Sequence, residues 1–385
     1  MKPKVAIRIG QFSLGMLLLP QGGFSQAVTW QGQLSSWAIS TPEVSLFAQA
    51  GFRYIPALSA RKTLAENVFI DAEFSLNAFS ALSDHRLNDD ELDGKIKAYR
   101  AWTRLATNRF EARLGLQKIN FGSATLFRPL RWFDRIDPRD PLQLTNGVYG
   151  LLLRYYFPNN VNLWFWGLYG NDETKGWEIA PTRKKRPELG GRLQTPLLTG
   201  EIGLTWHHRK TDFTRVEIFD PVFFRDESVP ENRFGLDGKW DVGVGAWVEG
   251  AVTRRETNAP NLRFQRFWTA GVDYTFGVGN GLNAIFEYFN TVSSNEFFGD
   301  GVGASFSALS LNYALGLVDN LSAIFFYDWK NRDLYRTAIL RRLYDNWSFY
   351  FFGFWNPDAI LLNRESAGGA AFTGKGAQVM VVFNH

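Results

Sequence analysis

The sequence predicts an all-β chain: a transmembrane antiparallel up-and-down β-barrel of about eighteen strands, with sixteen as the alternative count. Three observations predict it. Short stretches alternate apolar and polar side chains, tight turns interleave with long polar connections, and no later stretch offers the long uncharged apolar run of a membrane-spanning helix.

Residues 1–27 are set apart from the rest. Lys2, Lys4 and Arg8 precede an apolar core over 12–19, and Ser25-Gln26-Ala27 follows it. That is the pattern of a secretory signal cleaved after Ala27, which leaves 28–385 as the mature barrel. Its removal takes three of the 42 basic residues and none of the 38 acidic ones, so the formal charge falls from +4 to +1. The basicity therefore belongs to the leader, and a general nucleic-acid-binding surface is not supported. With 0 cysteines, a disulfide scaffold and thiol chemistry are excluded, while an oxidising compartment is still permitted.

The alternation is plainest over 69–80, where Ala72, Phe74, Leu76 and Ala78 oppose Asp71, Glu73, Ser75 and Asn77. The same pattern recurs at 110–117 and 271–276. In a soluble sandwich the apolar parity would pack a core; in a membrane barrel it faces lipid and the polar parity lines a wet lumen. Loop sorting separates the two. Tight turns fall at 107–109, 158–160, 199–200, 277–281, 319–320 and 345–346. Long connections fall between them at 83–95, 122–147, 170–187, 212–232, 293–303 and 356–375. Short turns at one end and long loops at the other fit a bacterial outer-membrane barrel. Aromatics near strand ends, among them Trp164, Trp166, Trp206, Trp268, Trp329, Trp347 and Trp355, suit an interfacial belt. The last strand closes with Phe383, followed by Asn384 and His385.

One connection carries most of the chemistry. Between Phe127 and Pro141, Arg128, Arg131, Arg135 and Arg139 interleave with Asp134, Asp137 and Asp140, stiffened by Pro129, Pro138 and Pro141. Guanidinium and carboxylate groups so regularly spaced suit an ordered, hydrogen-bonded segment, and residues 122–147 are predicted to fold inward as the third external loop. Strand parity sends Arg100, Arg104, Arg113, Arg154, Arg192, Arg209, Arg233 and Lys239 into the lumen with Glu111, and sends Glu249, Asp273, Glu287 and Asp328 to the opposite side. A cationic wall facing an acidic one would orient hydrated solutes, although the same groups could simply pair to stiffen the barrel.

The string from Arg113 to Val148 resembles a segment of alginate-export-like outer-membrane channels and related porins of unassigned substrate, through Arg113, Gly115, Gln117, Gly122, Pro129, Phe133, Asp137, Pro138, Gly147 and Val148. The match covers roughly a tenth of the chain and speaks to a channel more than to a substrate. The resemblance to general porins implies a constricting role for the third loop.

These readings lead to an outer-membrane channel for hydrophilic solutes, anionic or saccharide-like. Its expected lining is Arg100, Arg104, Glu111, Arg113, Arg128, Arg131, Asp134, Arg135, Asp137, Arg139, Arg154 and Arg192. The alternative is a non-conducting structural barrel whose loops bind a partner or polysaccharide. A barrel lipase or protease ranks below both: of four histidines only His207 and His208 lie in a strand, and no triad can be read from spacing. No catalytic residue, metal or cofactor is expected. The expected partners are outer-membrane lipid, lipopolysaccharide and small solutes, with the basic run Arg183, Lys184, Lys185 and Arg186 either a solvated loop tip or a contact for lipopolysaccharide phosphates.

Overall fold

The computed structural model describes residues 26–42, 46–85, 91–216, 228–357, 372 and 374–385. Its strands are β1 (Gln26–Ser40), β2 (Leu46–Ala65), β3 (Val68–His85), β4 (Glu91–Ala106), β5 (Phe110–Gln117), β6 (Val148–Tyr156), β7 (Asn162–Leu168), β8 (Glu188–Leu197) and β9 (Gly200–Thr211). They continue as β10 (Val229–Asp241), β11 (Gly245–Arg255), β12 (Phe264–Phe276), β13 (Leu282–Ser294), β14 (Gly301–Ala314), β15 (Asp319–Asp328), β16 (Asp333–Leu343), β17 (Trp347–Trp355) and β18 (Lys375–Asn384). Each pairs antiparallel with its sequence neighbours, and β18 returns to β1, with Trp37 opposite Met380, so the 18-stranded sheet has no free edge. Closure satisfies every ladder group internally, which a chain surrounded by lipid requires.

The two faces are inverted relative to a water-soluble protein. On β9, Leu204 and Trp206 are exposed while Thr205, His207 and Arg209 are buried; on β10, Phe234 and Leu236 are exposed while Glu231, Arg233 and Asp237 are buried. The apolar parity thus forms an outer band and the polar parity the inner wall. No helix among the described residues is long and apolar enough to cross a membrane.

The strand count is the main one expected, eighteen, but several boundaries move. β3 runs to His85 and β4 starts at Glu91, so the connection expected at 83–95 contracts to 86–90, outside the described residues. Asp319 and Asn320, expected as a turn, begin β15, and the turn is 315–318. β5 stops at Gln117, before the connection expected from 122, because Lys118 onward leaves the sheet for the lumen. Trp164 and Trp166 are not belt residues. They lie on the inner face, where Trp164 meets Arg154 and Trp166 meets His207. Both parities of NLWFWGL are apolar, so alternation could not assign its faces. The proposed leader falls on residues outside the description except Gln26 and Ala27, which extend β1 opposite Lys62 and Arg61. Parts of the long connections expected at 212–232 and 356–375 likewise lie outside it.

Candidate functional site

The connection from β5 to β6, residues 118–147, folds into the barrel and is held there chiefly by its main chain. Two carboxylates on the inner wall accept its backbone N–H groups. Glu249 of β11 takes those of Ala124 (2.9 Å) and Leu130 (2.5 Å). Glu287 of β13 takes those of Thr125, Leu126 and Phe127, the longest at 3.0 Å, together with the Trp247 indole at 2.9 Å. Both glutamates are fully buried. A segment whose N–H groups point outward cannot sit against an apolar wall unless such acceptors meet it. Inside the loop, Arg131 N–H bonds Arg128 O and Asp140 N–H bonds Asp137 O, consecutive turns of the kind Pro129 and Pro138 favour.

Aromatic packing completes the anchorage. Phe127 stacks on Phe289 at 5.1 Å and meets Phe326 edge-on at 5.4 Å. Phe121 stacks on Trp166 at 5.6 Å, and Trp132 and Phe133 pack beside it. Phe289, Phe306 and Phe326 occupy the inner parity of β13, β14 and β15, where water would otherwise meet them. They are buried because the loop covers them.

The expected lining residues divide into two groups. One is spent on the loop. Arg100 donates to Thr145 O at 3.0 Å and Thr145 Oγ1 at 2.6 Å, fastening the returning end to β4. Arg192 forms a fork with Asp237 at 2.5 and 2.9 Å, and Ser123 Oγ–H donates to the same carboxylate. Arg139 pairs with Asp137 at 2.7 Å and lies over Phe372. Arg128 bonds Asn120 and Phe121 O, Arg131 bonds Ile136 O, and Arg135 bonds Thr174. Asp134 is buried without a hydrogen-bond partner among the described residues. Burial pushes its carboxyl up, against the pull of Lys118, Arg128, Arg100 and Arg131. Burial works the same way on Asp137, but the charge and hydrogen bonds of Arg139 prevail and hold it below the ordinary range.

The other group stays accessible. On β4, β5 and β6, Arg104, Arg113 and Arg154 all reach Glu111, at 3.1, 3.3 and 3.6 Å, and Arg104 also holds Asp71 with a 2.9 Å Nε bond. Three guanidinium groups therefore share two carboxylates. Their side chains remain 22%, 17% and 17% exposed. Arg113 lies over Trp102 at 4.6 Å and Arg154 over Trp164 at 3.9 Å, so the wall alternates cation and ring.

Most of the acidic wall expected opposite is not an open surface. Glu249 and Glu287 are consumed by the loop, and Asp328 caps the backbone of Lys330 and Asn331, while Asp273 stays one third exposed with Lys239 at 3.9 Å. Sequence reasoning also missed the second inward segment. From the connection 169–187, Trp177 packs on Phe289 at 5.0 Å and donates to Arg128 O, while Glu178 receives Arg209 and Arg233 at 3.0 and 2.9 Å. The only available signal was a tryptophan and a glutamate in an otherwise polar loop. His207 donates or accepts within a sealed network: Trp166 Nε1–H bonds its Nδ1, so Nε2 carries the proton toward Glu188 at 3.1 Å. It is fully buried beneath Trp132 and Phe133, out of reach of a substrate.

No protein-family model matches the chain, and no curated protein matches its sequence. Solved structures do match its shape. The chain is similar to OccAB4 of Acinetobacter baumannii, with a TM-score of 0.54 at 9% identity over 93% of this chain and 98% of that one. It is similar to OmpF of Salmonella typhi, in a complex with daunomycin, with a TM-score of 0.52 at 10% identity over 93% and 97%. OmpT of Vibrio cholerae, described as an outer membrane protein in its trimer form, gives 0.51 at 11% over 94% and 100%. At these identities the likeness is one of fold. Closed 18-stranded sheet, apolar outer band and this shared architecture together make the chain a bacterial outer-membrane β-barrel with a loop folded into its lumen.

Proposed function

We propose that the chain is an outer-membrane channel for hydrophilic solutes, narrowed by residues 118–147 and biased towards anions. The observation that carries this reading is the unequal fate of the two charged walls. The loop covers Glu249 and Glu287, whereas Arg104, Arg113 and Arg154 stay accessible around a minority of carboxylates. The field met by a solute along β4 to β6 is then set by guanidinium groups. Arg113 and Arg154 backed by Trp102 and Trp164 also suit sugar acids, since rings take the apolar faces of a sugar while cations take its carboxylate. This is in keeping with the resemblance of residues 113–148 to alginate-export-like channels. A non-enzymatic role fits the sealed setting of His207, and cleavage of the leader after Ala27 and contact with lipopolysaccharide belong to the same reading.

A second reading, a barrel that conducts nothing, draws on the apolar packing between loop and wall and on a further cluster of Trp37, Phe352, Phe354, Phe372 and Met380. Planar-bilayer recording separates the two. The wild type should conduct, deletion of residues 128–140 should raise single-channel conductance, and Arg104→Ser/Arg113→Ser/Arg154→Ser should move the salt-gradient reversal potential towards that of an unselective pore. A silent wild type, or a deletion and a triple variant both indistinguishable from it, would sink the proposal.

A further inference from the structure

We propose that the external rim above β8 to β11 is a binding surface for the phosphorylated headgroups of outer-leaflet lipopolysaccharide. It requires the long connections to face outward and does not require the lumen to conduct.

The inference starts from how the basic run at residues 183–186 is placed. Thr182 bridges Thr211 at the top of β9, Arg183 N–H donates to Lys210 O at 2.8 Å, and Asp212 N–H donates to Pro181 O at 2.9 Å. The run is therefore pinned to the wall and not carried on a free tip. Lys184, Lys185 and Arg186 are exposed, with Lys185 in the left-handed region at φ 58° where the chain turns back.

Strand register continues the cations down the outer face. Lys210 and His208 share the outward parity of β9 with Trp206 and Leu204. His208 stands opposite Asn232, which stands opposite Arg254 of β11. His208 stacks on Trp206, and below them Leu204, Phe234, Leu236 and Val248 are exposed. From rim to mid-wall the surface runs from cations through aromatic rings to aliphatic side chains. A phosphorylated glycolipid has the same order from headgroup to acyl chain.

Among the described residues the acids nearby do not cancel the cations. Asp172 is shared by Lys184 at 3.4 Å and Arg215 at 3.7 Å, Asp212 accepts from Thr214, and Glu256 is exposed beyond the end of β11. Among the described residues no carboxylate pairs with Lys185, Arg186, Lys210 or Arg254. Phosphate is the anion this outer-leaflet setting supplies in quantity, and several lysines and arginines at one level can share it.

The full barrel, purified in detergent, is titrated with diphosphoryl lipid A and with the same lipid stripped of both phosphates. The Lys185→Ser/Arg186→Ser/Lys210→Ser variant should bind diphosphoryl lipid A at least tenfold more weakly, and salt should weaken the wild type's binding. The dephosphorylated lipid should bind poorly to both. A triple variant on the far rim, Lys330→Ser/Arg332→Ser/Lys375→Ser, should bind like wild type. A heat-dependent gel shift and an unchanged β-sheet circular-dichroism spectrum show that each variant still forms the barrel. Equal binding by the first variant and wild type overturns the proposal. So does equal binding of the two lipids, an equal loss in the far-rim variant, or displacement of the lipid by inorganic phosphate at matched concentration.

Discussion

At the scale of single residues, the buried glutamates do the work expected of a loop's own side chains. Replacing Glu287 by Ala leaves three backbone N–H groups and the Trp247 indole without an acceptor, and each buried orphan costs about 1–3 kcal/mol. The loop should lift from the wall, which hydrogen exchange at Thr125, Leu126 and Phe127 would register as protection lost by orders of magnitude. Retained protection in that variant would mean that aromatic packing alone holds the loop. The aspartates of the loop contribute to its pH dependence with opposite signs, Asp134 and Asp140 being raised by burial and Asp137 lowered. Burial raises Asp134, so its ionised form weakens the packed loop, and lowering the pH through that raised value should strengthen protection. Arg139 depresses Asp137, whose contribution is complete above the ordinary carboxylate value of about 3.9 and is lost only below it. Exchange rates corrected for intrinsic pH effects should therefore fall on mild acidification and rise again in strong acid. A monotonic rise on acidification from neutrality would contradict the assignment of Asp134.

At the scale of elements, the third loop and the connection 169–187 hold one another as well as the wall. Gly176 has φ 47°, and a Cβ there would overlap Arg131 O, so Gly176→Ala must push the two segments apart. Phe127→Ala removes the ring stacked on Phe289, a loss of about 3–5 kcal/mol in a close-packed setting. Either change should raise single-channel conductance and open the loop to added protease. Unchanged values for both would show that the loop is held elsewhere. The inward fold of this loop could be read in the sequence from its prolines and paired charges, but its partners could not. Phe289, Phe306 and Phe326 interrupt the polar parity of three successive strands, and only the covering loop explains them. Alternation reports which face a side chain takes, and it is silent on what comes across the lumen to meet it. For the same reason Arg104 and Arg192 read alike in sequence, although one stays accessible and the other disappears beneath Phe121.

At the scale of the whole molecule, closure was legible because eighteen alternating segments leave no helix or second core to place. The turns were less so: the 315–318 turn is Leu-Gly-Leu-Val, apolar enough to read as strand, while β15 opens on the polar Asp319 and Asn320, and polar residues at the facing ends of β3 and β4 hid their extra length. The absence of cysteine makes closure and orientation easy to test. Ser36 and Val381 face each other across the β1–β18 seam, so Ser36→Cys/Val381→Cys should oxidise to an intramolecular disulfide in the folded barrel only. In intact cells an impermeant maleimide should label Lys185→Cys and spare Asn159→Cys, and the reverse pattern would invert the topology. A wider consequence lies in the clamp formed by Glu249 and Glu287. These two carboxylates recognise N–H groups that every residue except proline supplies, so the identity of the side chains at Ala124 and Thr125 is immaterial to them. Selectivity and attachment are thereby encoded at different positions, and descendants of this chain could change what the passage admits without having to reinvent how the loop is moored.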